Sequence, residues 1–432
     1  MNETSSMGKE EKRILMISTH GYFEAQPSYG LPDTGGQVAY VIELSLALAK
    51  LGYQVDVLTR QFNDFPQHEE VGENVRIIRI PCGGRDFVPK EYLADYLPDL
   101  VNGFIQYCVA SSLKYDFIDS HYWDAGFAGM KLAESFGIPH IFTPHSIGFW
   151  KKMQMERAAV EQDTTLNEDE LEGHHNFKQR IKTEKTIMTR ANQVIATSPH
   201  QKDIITDNYG IPEEKTDVIT PGFDPEKYCR IDENSLKKAI AKHGLPSRYI
   251  LAVGRITEYK GHDLLIEAMK YVCREIPDVK LVFRIGSKEF HENEAKKINE
   301  LRQMVRKLDM EKQVLFYDYV EDIESFYNAA EVFVLPSTYE PFGMVAIEAM
   351  ACGTPAVLTA KGGLIDLLED EKDALFVNPV DTEAMAKSIV RLLRDESLHK
   401  DISRNGYNKA HTFFTWDNIA GRILEIVGKL EV

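Results

Sequence analysis

Two glutamates eight residues apart, Glu340 and Glu348, bracket a stretch able to hold a phosphorylated ligand. Pro341 disfavours helical geometry at Glu340, so that carboxylate belongs to a loop. Glu348 falls on the helix that follows, expected over 344–352 and closed by Gly353 and Pro355. Unpaired amides at a helix start attract phosphate, and Gly343 lets a ligand approach the backbone closely. Two carboxylates flanking such an anion site suit a ligand with hydroxyls at both ends of a pyrophosphate, as in a nucleotide sugar. An ordinary strand–helix–strand unit with two solvated acids has the same spacing, so the reading needs partners.

Arg255 and Lys260 are candidate partners, five residues apart between Gly254 and Gly261. A diphosphate that leaves as a glycosidic bond breaks needs positive charge beside it. A metal ion can supply that charge, but the chain has no D-x-D triplet. His174 and His175 are adjacent, so their side chains diverge, and no third ligand is near. The basic pair is therefore expected to act without metal or other cofactor, magnesium being at most stimulatory. In the first half, Gly35-Gly36-Gln37 opens a helix, where paired glycines form either a phosphate cradle or a plain turn. The pattern is not G-x-G-x-x-G, which disfavours NAD. Arg85 and Lys90 on a glycine-rich loop are candidate phosphate ligands or solvated charge. His145 follows a strand directly and reads as functional.

These residues need elements to hold them, and short apolar runs provide them. Strands are expected at 13–18, 53–59, 75–80, 115–121, 138–143, 193–198 and 215–220, and again at 248–253, 280–285, 313–317, 331–335 and 355–359. The helix after the first strand carries Val38, Val41, Leu44, Leu48 and Leu51 at helical spacing. The polar clusters sit after strands, where open α/β sheets bind ligands. The fold class is α/β, with two Rossmann-like doubly wound domains facing a cleft. Expected boundaries are a disordered tail over 1–12, a first domain over 13–222, a linker over 223–247, a second domain over 248–403, and terminal helices over 404–432 packing back on the first domain. Residues 151–176 are acidic and poor in large apolar side chains, and read as a mobile excursion.

The 432 residues suffice for large cores. A net charge of −17 argues against nucleic acid or an anionic membrane as partner. Five cysteines, Cys82, Cys108, Cys229, Cys273 and Cys352, are odd in number and lack a CxxC pair, as reduced cytoplasmic thiols would. No apolar run reaches membrane-spanning length and the first residues are charged, so a soluble, cytoplasmic protein is expected.

The motifs also carry a resemblance. Glu340 and Glu348 match the E-x7-E signature of retaining two-domain glycosyltransferases (the GT-B architecture), and Arg255 with Lys260 match its R-x4-K companion. Asp33-Thr-Gly-Gly-Gln37, Arg79-Ile-Pro81 with Phe87-Val-Pro-Lys90, Ser120-His-Tyr-Trp-Asp124 and Pro144-His-Ser146 resemble the sucrose-phosphate synthase group. Ile17-Ser-Thr-His-Gly-Tyr22, the run Arg79–Asp86 and Trp150-Lys-Lys152 resemble its mannosylfructose-phosphate synthase branch. The resemblance implies hexosyl transfer from GDP-mannose or UDP-glucose to fructose 6-phosphate, by front-face substitution. It implies that Gly35, Gly36 and Gln37 lie against donor phosphates and acceptor. Lys90, Lys151 and Arg180 would bind the acceptor phosphate, and Tyr122 would line that pocket. His145 would sit beside the donor hexose. Arg255, Lys260, Phe342, Gly343 and Glu348 would hold the nucleotide diphosphate, and Glu340 the donor sugar. The catalytic set would be His145, Arg255, Lys260 and Glu340. Base recognition is expected near Gly286 and Val320, and a separate sugar phosphatase would consume the product. The extra terminal domains of long relatives are not expected. Rival readings are a nucleotide-sugar 2-epimerase and a non-catalytic nucleotide-sugar sensor.

Overall fold

Most of the continuous apolar runs become strands buried on both faces, the usual condition of parallel sheets covered by helices. The edge strands that end the sheets are only partly buried. The computed structural model describes residues 12–26, 31, 34–161, 168–285 and 292–430. In the first domain the strands are β1 (Arg13–Ile17), β2 (Gln54–Gln61), β3 (His68–Gly72), β4 (Val75–Pro81), β5 (Phe117–His121), β6 (His140–Thr143), β7 (Gln193–Ala196) and β8 (Thr216–Val218). They form one sheet in the order β3-β4-β2-β1-β5-β6-β7-β8. All neighbours pair parallel except β3, an antiparallel edge strand on β4.

The second domain repeats the plan with β9 (Tyr249–Gly254), β10 (Lys280–Ile285), β11 (Val314–Tyr317), β12 (Val332–Leu335), β13 (Ala356–Thr359) and β14 (Leu375–Val377). Their order is β11-β10-β9-β12-β13-β14, all parallel. In both sheets the strand order reverses beside the domain's first strand, between β1 and β5 and between β9 and β12. Ligands of open α/β sheets bind at such switch points, outside the carboxyl ends of the strands. The loop before helix Gly36–Lys50 leaves one switch point, and the Arg255–Lys260 and Glu340–Gly343 loops leave the other.

The connection between domains is double. Phe223, just past the first domain, donates its amide to the Phe414 carbonyl (2.8 Å) and bridges Thr415. Of the terminal helices, Glu396–Phe413 packs on the second domain, where His411 reaches the Ala351 carbonyl (3.1 Å). Only Trp416–Leu430 returns to the first. It buries Trp416, Ile419, Ala420, Ile423, Ile426 and Val427 in the core that also holds Val38, Val41, Leu44 and Leu48.

Residues 151–176, expected to be a mobile excursion, are ordered helix where described: Gly148–Glu161 and Glu168–His175. Their buried contacts are few but specific. Trp150 and Leu171 are buried, and Tyr92 donates to the Gly173 carbonyl (3.3 Å). A polar helix held by a few anchors leaves little apolar periodicity to read. Among the described residues, no helix is long and apolar enough to cross a membrane. All five cysteines are free thiols.

Candidate active site

Two helices start at the mouth of the cleft without a side-chain cap. Gly35 precedes Gly36–Lys50 and Gly343 precedes Met344–Ala351; neither first turn carries an acid. Their first amides are left for an anion. The two starts touch across the domains: a Cβ on Gly36 would lie 3.4 Å from the Met344 sulfur. Gly343 has φ +106°, a conformation that glycine tolerates and other residues resist, and a Cβ there would meet Leu335 at 3.0 Å.

A cavity of about 330 Å³ opens beside these starts, lined by both domains. The first contributes Gly35, Gly36, Glu43 and Trp416, the last on the returning helix. The second contributes Arg255, Lys260, Arg284, Tyr319, Val320, Tyr327, Met344 and Glu348. Lys260 lies 2.6 Å from Glu340, which also accepts from the Ser337 hydroxyl (3.1 Å). The loop carrying Lys260 is pressed against that of Glu340: Gly261 has φ +65°, and a Cβ there would strike the Pro336 carbonyl oxygen at 2.0 Å. Glu348 accepts from the Tyr327 hydroxyl (2.8 Å); burial pushes its carboxyl up, and the tyrosine bond pulls it back. Arg255 is exposed on the cavity wall. Phe342 is buried against Phe414 and so supports the loop from behind.

Sequence reasoning missed several cavity residues. Arg284, next to last in β10, places its guanidinium 4.5 Å from the Tyr319 ring and donates to the Ile285 (3.2 Å) and Val320 carbonyls. Its Nε is buried without a partner, and burial lowers its pKa. A charged residue inside an apolar strand was the available signal. Lys227 and Tyr228 come from the linker and line the same cavity. Val320 lines the cavity, whereas Gly286 falls outside the described residues, as does Asp33.

The first domain gathers a different set. Arg180 is 4% exposed, and its guanidinium sits 4.8 Å from the Tyr122 ring. It pairs through Nε with the fully buried Glu184 (2.7 Å) and donates through Nη2 to the Ser146 carbonyl (2.6 Å). Lys90 opens the 3-10 turn Lys90–Tyr96 and acts on the same Tyr122 hydroxyl. Burial raises that hydroxyl's pKa to about 12, opposed by Arg180 and then Lys90. Lys151 lies 3.4 Å from His175 Nδ1. Tyr122 has φ +80° and His145 φ +55°, strained backbone at the carboxyl ends of adjacent strands, a common mark of functional loops. Gln37 donates to Ser18 Oγ (3.1 Å) and to the His121 carbonyl (3.0 Å), which ties the first helix to the end of β5.

Two uncapped helix starts and a set of cations around one cavity between two parallel α/β domains fit a two-domain glycosyltransferase, and the comparisons agree. The family model for glycosyl transferases group 1 matches residues 235–409, and that for glycosyltransferase family 4 matches 34–227. The chain belongs to this glycosyltransferase family, within its sucrose-phosphate synthase and mannosylfructose-phosphate synthase group. It is 43% identical to mannosylfructose-phosphate synthase of Agrobacterium fabrum, over 98% of this chain and 93% of that protein. It is 30% identical to a D-inositol 3-phosphate glycosyltransferase of Corynebacterium urealyticum, over 97% and 96% of the two chains. Among solved structures, sucrose-phosphate synthase from Thermosynechococcus elongatus superposes with a TM-score of 0.82 at 30% identity, over 97% of this chain and 99% of that one.

Proposed function

We propose that the protein transfers a hexosyl group, with retention, from a nucleoside-diphosphate hexose to fructose 6-phosphate, and that its donor is GDP-mannose. The observation that carries the reading is the division of cations between the two domains. Arg255, Lys260 and Arg284 line the second domain's side of a cavity that also meets an uncapped helix start from each domain, whereas Lys90 and Arg180 converge on Tyr122 in the first. One group suits a diphosphate and the other a second, separate phosphate on the acceptor. The Agrobacterium and Corynebacterium relatives, by their names, make or use phosphorylated sugars or polyols, which supports a phosphorylated acceptor.

The acceptor hydroxyl attacks the anomeric carbon on the face that the diphosphate leaves. The carbon–oxygen bond to phosphate breaks as the new one forms, and the departing phosphate oxygen takes the hydroxyl proton. The helix-start amides, Arg255 and Lys260 would stabilise the charge that builds on the leaving group. Glu340 would orient the hexose hydroxyls and Glu348 the ribose. Domain closure would exclude water. The reaction needs no metal in this reading, and a separate sugar phosphatase would draw off the product.

The second reading is UDP-glucose as donor, favoured by the likeness to the Thermosynechococcus sucrose-phosphate synthase. A screen of GDP-mannose and UDP-glucose, each with fructose 6-phosphate or free fructose, tests both. GDP-mannose with fructose 6-phosphate is expected to be fastest, and fructose to be poorer by at least about a hundredfold in kcat/KM, or roughly 2.7 kcal/mol. Equal use of free fructose would refute the acceptor reading. Loss of activity in EDTA, restored by magnesium, would refute the metal-free one.

A further inference from the structure

Behind the cleft, three side chains that the mechanism above does not use as a set form a buried array in the first domain. His145 Nε2 lies 3.1 Å from His121 Nδ1. His121 Nε2 lies 3.6 Å from Asp119 Oδ1. Asp119 and His121 are fully buried, neither carboxylate oxygen has a hydrogen-bond partner, and His121 Nε2 has none. The Tyr40 ring packs on both imidazoles, at 5.4 and 4.7 Å, and its own hydroxyl is buried unpartnered. The backbone carbonyls of both histidines are bound by glutamine amides, Gln37 on His121 (3.0 Å) and Gln201 on His145 (3.1 Å).

We infer that Asp119 and His121 are positioning residues that hold His145 as a neutral imidazole with its proton on Nδ1, so that it meets the cleft as a hydrogen-bond donor and not as a base.

Counting protons assigns the tautomer. An ionised Asp119 would be a buried charge with no cation against it, which costs far more than protonation. The charges nearby do not change this. His20 is paired with Asp124 (2.8 Å), and burial keeps the Tyr40 phenol protonated, with Asp119 raising its pKa further and Arg422 opposing. The array is therefore neutral overall and carries three protons. With the acid proton turned towards His121 Nε2, across a 3.6 Å contact that is longer than a hydrogen bond, and one proton between His121 Nδ1 and His145 Nε2, the third falls on His145 Nδ1. The reverse arrangement, with both histidines protonated on Nε2, strands a buried acid O–H without an acceptor. The first keeps that O–H facing a ring acceptor, at long range, and turns only an acceptor oxygen away, the milder fault. Burial, which raises the Asp119 carboxyl and lowers both histidines, acts the same way.

The consequence rests on the hexosyl-transfer reading. Front-face substitution sends the acceptor proton to the leaving phosphate, so a base beside the hexose has no task. A fixed N–H donor can bind a hexose oxygen and cannot capture that proton.

The test separates the array from the transfer reading. Long-range proton–nitrogen correlation on histidine-labelled, ligand-free protein reads the tautomer directly. His145 is expected to show a protonated Nδ1 and a bare Nε2, unchanged between about pH 6 and 9. A protonated Nε2 with bare Nδ1, or titration near the ordinary histidine value, overturns the proposal whatever the enzyme transfers. Variants give a second reading. Asp119→Asn keeps a neutral donor towards His121 and should keep the tautomer and at least about a third of kcat. Asp119→Leu removes it and should mix the tautomers and lower kcat by about tenfold or more, with donor KM little changed. If Asp119→Asn inverts the tautomer and collapses kcat, Asp119 is ionised and the count is wrong. A correct tautomer in a protein inactive towards fructose 6-phosphate would overturn the transfer reading alone.

Discussion

Lys260 and Glu340 can be tested as one unit. Lys260→Ala, Glu340→Gln and the double variant form a cycle around a contact of 2.6 Å whose members are 30% and 9% exposed. A hydrogen bond to a charged group nets about 1.5–3 kcal/mol, and the lysine's exposure places this one in the lower half through solvent screening. Lys260→Ala removes a cation from the diphosphate and also leaves Glu340, among the described residues, with the Ser337 hydroxyl as its remaining side-chain donor. Its kcat/KM should therefore fall by about a hundredfold, shared between KM and kcat, where the sequence alone suggests a binding defect. Glu340→Gln should lower kcat by tens of fold yet bind nucleoside diphosphate as well as the parent or better, because Lys260 no longer divides its attention. The double variant should be less damaged than the two effects summed, by at least about 1 kcal/mol. Initial rates with donor and fructose 6-phosphate, together with calorimetry of nucleoside diphosphate binding, supply every number. Additivity within about 0.5 kcal/mol, or weaker nucleotide binding in Glu340→Gln, would refute the shared contact.

Tyr327→Phe removes the donor to Glu348 and should weaken nucleotide binding by several-fold to about tenfold, measured by calorimetry. Arg180→Ala leaves Glu184 buried with the Gly148 amide and the Tyr209 hydroxyl as its remaining partners. A loss of about 3–5 kcal/mol in urea unfolding is expected. Lys90→Ala is thus the cleaner acceptor probe, expected to narrow the preference for fructose 6-phosphate over fructose without lowering the melting temperature. Glu43 is pushed up to about 7, by burial first and Asp224 second. A carboxyl raised in the folded state costs stability as pH climbs from the ordinary value of 4.5 to that raised one. Glu43→Gln should therefore stabilise the protein at pH 8 by up to about 3 kcal/mol and have little effect at pH 4.5, as read by urea unfolding at both pH values.

What was legible in the sequence follows from how each element is buried. The parallel strands appear as apolar runs because both faces are covered, so β1, β9, β10 and β12 could be read to within a residue or so. The edge strand β3, His68-Glu-Glu-Val-Gly72, has little buried side chain and gives no such run. Strand β14 spans only three residues, Leu375–Val377. At the site, residues in spaced motifs at strand ends were visible: Arg255, Lys260, Glu340 and Glu348. Arg284 was hidden inside a strand that reads as core. Lys227 and Tyr228 were hidden in a linker whose path only the fold determines. The Asp119–His121–His145 array was half visible, its two histidines lying in motifs 24 residues apart and Asp119 only inside an expected strand, but the pairing of β5 with β6 is what brings the rings together.

The double connection at Phe223 and Phe414 has a consequence for synthesis. Because Trp416, Ile419 and Ile423 complete a core begun by Ile14, Met16 and Val41, the first domain is not a continuous stretch of chain. A ribosome making this protein releases residues 13–222 with one apolar face uncovered, and that face waits while the whole second domain is translated. The second domain lies entirely within one stretch and can fold as it emerges. The half made first is thus the half finished last, and a nascent chain stalled after residue 400 would carry an apolar groove where a helix belongs.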